Sequence, residues 1–221
     1  MNNEVQFILS LCIAITVIIG VIRYKVIDPS YYPFFYLAAI SLLVEIMSFI
    51  LSKNKMYEAV SVMMNIFHFT EFFFYTWLFH SWGLFNFKRA VFLIITGTFF
   101  ICWGTLIFIA GTIKKPGYYF PVIYAIALLF FAVTTFNKFV IQDRGTIIKN
   151  PRFWILTGVI IFFSFYVLIE SANLSVFGKN ASIVLRRGLY GIVSYTNLIV
   201  NLMFATAALC IPRKKNFTNL F

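Results

Sequence analysis

Few side chains in this sequence could do chemistry, and most of them recur at helical spacing inside long apolar runs. Glu58, Ser61, Asn65, His68, Glu71 and Tyr75 fall in one such run and, at ~100° per residue, share about 140° of a helix circumference. Ser41, Glu45, Ser48 and Ser52 recur at steps of four, three and four, and so do Tyr190, Ser194, Asn197 and Asn201, so each set lines one helix face. A carboxyl taken out of water favours its neutral form, which donates a hydrogen bond. His68 stands one turn from both Asn65 and Glu71. Glu45, Asn65, His68, Glu71, Tyr75, Asn197 and Asn201 are therefore the candidates for ligand contact or proton relay. A satisfied polar cluster that fixes helix rotation would use the same residue types, and for Asn197 and Asn201 interhelical amide bonding is the plainer expectation.

Other chemistries find no support in the residues. The chain has no Gly-x-Ser-x-Gly, no His-Glu-x-x-His and no glycine-rich phosphate loop. Its two histidines, His68 and His80, would lie ~18 Å apart along one helix, too far to share a metal or haem. No lysine stands between Arg187 and Arg213, where a retinal linkage would need one. Cys12, Cys102 and Cys210 fall in three different apolar runs without metal spacing and read as buried free thiols. The expectation is no catalytic residue, no metal and no cofactor; enzyme activity, as an intramembrane lipid-acting enzyme, is the least supported reading.

The elements that must position these residues are membrane helices. The chain is 62% hydrophobic and 11% charged, with mean hydropathy +0.91, against about 25% charged in a soluble domain. A span takes ~20 mostly apolar residues. Runs at 5–22, 33–52, 58–81, 90–111, 118–141, 152–173 and 188–211 predict an all-α, polytopic bundle of seven helices that forms a single domain over residues 1–221. The first run follows Met1-Asn2-Asn3-Glu4, without Lys or Arg, and ends at Arg23, which reads as a retained span rather than a signal peptide. The six prolines lie in loops or at span ends, which predicts unbroken helices, with Asn150 as an N-cap before Pro151. Trp77, Trp82, Trp154, Tyr118 and Tyr119 sit near span ends, as interfacial aromatics do.

The net charge of +11 would suggest nucleic acid in a soluble protein. Here the bases lie between apolar runs and predict contact with lipid headgroups instead. With the N-terminus outside, cytoplasmic segments carry eleven Lys and Arg against seven outside, which favours N-out and C-in. Gly97, Gly104 and Gly111 repeat at a heptad, each followed by Thr, and predict a seam where another helix packs closely or a dimer forms.

Several short segments resemble a family of small bacterial seven-span membrane proteins of unassigned function. Asn65-Ile66-Phe67-His68-Phe69-Thr70-Glu71-Phe72 is similar to its Asn…Glu-Phe third span, and Leu43-Val44-Glu45 to its acidic second span. Asn150-Pro151-Arg152-Phe153-Trp154-Ile155 resembles the opening of its sixth span, and Ala208 to Lys215 its tail. The resemblance implies Glu45, Asn65, Glu71 and Trp154 as characteristic positions; it gives no ligand, and His68 is not among them. The family is itself similar to membrane input regions of some sensor histidine kinases. That implies a bacterial inner-membrane signalling module that senses a small or lipidic ligand and acts through a partner protein or a second copy. A proton-coupled transporter or channel using Glu45 and Glu71 is the alternative.

Overall fold

The computed structural model describes residues 3–109, 113–114, 117, 119–142, 147–174 and 183–212. Gly111, Tyr118 and the basic residues Lys115, Arg144, Lys179, Arg213, Lys214 and Lys215 lie outside the described residues, and of Tyr190 only the backbone is described. The helices are α1 (Asn3–Ser10), α2 (Ile13–Arg23), α3 (Tyr32–Lys53), α4 (Tyr57–Ser81), α5 (Arg89–Ile109), α6 (Tyr119–Gln142), α7 (Pro151–Asn173) and α8 (Ile183–Cys210). The protein is an all-α, multi-pass membrane protein: α1 and α2 together, α3, α5, α6, α7 and α8 are each long and apolar enough to cross a bilayer.

Helix α4 is the exception. Its 25 residues span ~37 Å at the α-helical rise, enough for a hydrocarbon core of ~30 Å. Its polar side chains keep it out of the apolar group. The physical reason is position: Asn65, His68, Glu71, Tyr75 and Thr76 are buried, and α4 packs against α3, α5 and α6. A helix screened by neighbours need not be apolar all round.

Neighbouring contacts run α2–α3–α4–α6–α7–α8 and back to α1 and α2, a closed ring, with α5 outside against α4 and α6. One end of the ring carries Arg23, Trp82, Lys138, Arg152 and Ile211. There Arg23 donates to the carbonyls of Ala208, Leu209 and Ile211, each at 2.7 Å. The guanidinium thus caps the C-terminus of α8, where carbonyls lack intrahelical partners. The opposite end carries Glu58, paired with Lys114 at 3.3 Å. The half toward Arg23 is densely packed: the buried residues of α3 (Pro33, Phe34, Phe35, Leu37 and Ala38) all lie in its first two turns. They meet Phe79, Phe204 and Ile211 in one apolar cluster.

The first span is not one unbroken helix. Ala14 N–H donates to Leu11 at 2.9 Å and Ile15 N–H to Cys12 at 3.2 Å, a tightened turn between α1 and α2. No proline or glycine marks the break. Pro29, Pro33 and Pro151 stand at helix starts; Asn150 Oδ1 accepts from Arg152 N–H at 3.0 Å and caps α7 ahead of Pro151. The close helix approaches use Gly20 and Gly158: a Cβ on Gly20 would overlap the Phe35 ring, and one on Gly158 would lie 2.8 Å from Phe204. At Gly97 and Gly104 a Cβ would meet nothing within 4 Å among the described residues.

Candidate functional site

The polar stripes of the second and last spans converge. About midway along the helices a cavity of about 150 Å³ opens between α1, α3, α4 and α8. Its polar lining is Ser10, Ser41, Glu45, Ser48, Glu71, Tyr75, Asn197 and Asn201, and its apolar walls include Phe34, Phe67, Phe162 and Phe204. Among the described residues no Lys, Arg or His lines it. The hydroxyl of Ser10 donates to the Phe7 carbonyl at 2.9 Å. Asn201 Nδ2 reaches Asn197 Oδ1 at 3.3 Å and the Ser10 carbonyl at 3.4 Å. The break after Ser10 therefore presents backbone to α8 beside the cavity.

His68 stands apart from this lining and joins it indirectly. Tyr124 on α6 donates to Glu71 Oε2 at 2.8 Å and hydrogen-bonds Tyr166 on α7. Tyr166 in turn lies 3.1 Å from His68 Nε2. Tyr124 and Tyr166 thus stand between His68 and Glu71, the carboxyl that faces the cavity.

Asn65 and Trp154, two of the positions the resemblance singles out, hold turns. Asn65 Nδ2 donates to the Ile113 carbonyl at 2.8 Å, its Oδ1 accepts from Gly117 N–H at 3.1 Å, and its own carbonyl accepts from Trp103 Nε1 at 2.8 Å. Trp154 Nε1 donates to the Ile148 carbonyl at 2.8 Å. Tyr75, one turn beyond Glu71, is buried in the cavity wall. Of the glycine heptad, Gly97 and Gly104 face away from the bundle core, on a helix with few buried residues.

Sequence reasoning passed over Ser10, Tyr124, Tyr166 and Arg23 as site-building residues. The tyrosines appear singly on α6 and α7 without a polar stripe around them, so spacing gave no reason to pick them from twelve tyrosines. Among the described residues, no cluster of three or more His, Cys, Asp or Glu could hold a metal ion. Comparison of the chain with protein-family models, with curated proteins and with solved structures finds no match.

Proposed function

We propose that the chain is a membrane-embedded receptor that binds a small or lipidic ligand in the cavity between α1, α3, α4 and α8 and passes the change to a partner protein or a second copy. The observation that carries this reading is the convergence of Glu45, Glu71, Asn197 and Asn201 on one cavity with no cation among the described residues of its lining. Two carboxyls and two amides without a counter-charge favour a ligand head rich in hydrogen-bond donors, an amine above all. A cavity of about 150 Å³ suits a head no larger than roughly a benzene ring. Beside it an apolar groove between α3 and α4 shares Val44 and Phe67 with the cavity wall, room for an acyl tail. Binding would shift the bundle if it favours one packing of α3 and α8 over another. The excess of bases at the Arg23 end supports N-out and C-in, with the cavity near mid-membrane.

The test is thermal stabilisation of the purified chain in nanodiscs by a panel of short amines, their alcohol analogues and single-chain amphiphiles carrying the same heads. Amine-headed members should stabilise the wild type, and Glu45→Gln or Glu71→Gln should weaken the effect while membrane insertion stays normal. Ala38→Phe, which fills the cavity from α3, should abolish it. A panel that stabilises the Ala38→Phe variant as well as the wild type would remove the cavity from the function.

The row of His68, Tyr166, Tyr124 and Glu71 supports a second reading, proton-coupled passage of the ligand. Acid-driven uptake into proteoliposomes that is lost in Tyr166→Phe, with amine binding retained, would favour transport over sensing.

A further inference from the structure

At the Arg23 end lies a second hollow, of about 450 Å³, floored by the loop after α4 and walled by α6 and α7. We propose that this hollow binds a phosphate-bearing anion, held by Lys138 and Arg152 beside the ring of Trp82. The two cations come from different helices, Lys138 from α6 and Arg152 from α7, and both are half-buried. Lys138 Nζ donates to the Leu84 carbonyl at 3.0 Å, which spends one of the three donors of an ammonium. Arg152 lies over the Trp82 ring, 5.5 Å from its centre, and hydrogen-bonds the Tyr31 hydroxyl; a guanidinium has five N–H groups in a fork suited to phosphate oxygens.

Trp82 is 9% exposed and walls the hollow with its ring, under the Arg152 guanidinium. Among the described residues no Asp or Glu lines this hollow; Asp28 shares the adjoining hollow with Arg152, which leaves Lys138 as the cation that meets only the Leu84 carbonyl in the lining. At ~30 Å³ per water, the space of about 450 Å³ takes a phosphoryl group with its bridging waters. The rim of the bilayer, where Trp side chains gather, is also where phospholipid phosphates lie. The headgroup of an anionic phospholipid and free inorganic phosphate present the same oxygens to these donors.

The experiment uses the whole chain in phosphatidylcholine nanodiscs. Phosphatidylglycerol is titrated in and bound lipid counted by native mass spectrometry, and inorganic phosphate is titrated separately against thermal stability, with chloride as control. Each basic residue near the membrane surface contributes roughly a fivefold factor to anionic-lipid affinity. Lys138→Gln and Arg152→Gln should therefore each weaken phosphatidylglycerol binding about fivefold, with Lys138→Arg near wild type and Lys53→Gln, at the other end, unchanged. That outcome assigns a lipid headgroup. Stabilisation by inorganic phosphate with the same dependence on Lys138, and no preference for phosphatidylglycerol over phosphatidylcholine, assigns free phosphate. Equal binding by wild type and Lys138→Gln of both anions, or no binding beyond that of phosphatidylcholine and chloride, overturns the proposal. If Arg152→Gln does not assemble, for want of its contacts to Trp82 and Tyr31, the Lys138 pair decides alone.

Discussion

The bond between Tyr124 and Glu71 offers the sharpest test of the polar centre. Tyr124→Phe deletes the hydroxyl that donates to Glu71 Oε2 at 2.8 Å and keeps the ring within the core, where Tyr124 is 1% exposed. A buried acceptor left without its donor costs ~1–3 kcal/mol in soluble proteins. In membrane bundles interhelical hydrogen bonds average ~0.6 kcal/mol and reach ~1.7, because the unfolded chain in lipid also finds partners. Glu71 is buried and its bond is short, so the upper membrane value applies, and Tyr124→Phe should cost about 1.5 kcal/mol. At ~2–4 °C per kcal/mol for a chain of this size, the midpoint falls by roughly 3–6 °C. Glu71→Met alone should cost a similar amount. The double variant removes both partners and should cost about 1 kcal/mol less than the sum of the singles. Reversible unfolding in mixed detergent micelles measures all four corners of the cycle. Additive losses, with coupling under about 0.5 kcal/mol, would refute the claim that the two groups act as a pair.

Three further outcomes follow from the packing. Arg23→Met removes three bonds to the end of α8 and should destabilise by about 2 kcal/mol, the upper range for a cation at a helix C-terminus; hydrogen exchange should rise at 208–211 before elsewhere. Gly158→Ala pushes a methyl against Phe204 and should cost ~1–3 kcal/mol, whereas Gly97→Ala meets open space and should be neutral or stabilising by up to ~1 kcal/mol through helix propensity. Both are read as shifts of the unfolding midpoint. Asn65→Ala frees the Ile113 carbonyl and the Gly117 N–H, and limited proteolysis should then cut the α5–α6 connection several-fold faster with the rest of the bundle intact.

The span positions were legible because hydrocarbon imposes one demand over ~20 residues at a time, and the runs at 33–52 and 58–81 match α3 and α4 within a residue or two at each end. The inward faces of α3 and α8 were legible for the same reason: Ser41, Glu45 and Ser48, with Asn197 and Asn201, have nowhere affordable to point except at each other. What could not be read is pairing between helices. Nothing in the spacing of Tyr124 or Tyr166 says that they bridge Glu71 to His68, because that depends on how α4, α6 and α7 are rotated together. The break after Ser10 was hidden too, since it rests on tertiary bonding by Asn201 rather than on a proline or glycine. The glycine heptad shows the converse: a regular pattern need not mark contact inside the chain, and the glycines that do let helices touch, Gly20 and Gly158, belong to no repeat.

The clasp between Arg23 and the end of α8 joins the earliest helical segment to the latest. During synthesis the guanidinium must wait, turned to water or headgroups, while some 185 further residues are made. Until α8 arrives the cavity lacks the wall formed by Asn197, Val200, Asn201 and Phe204. Assembly of such a chain ends with a closing step.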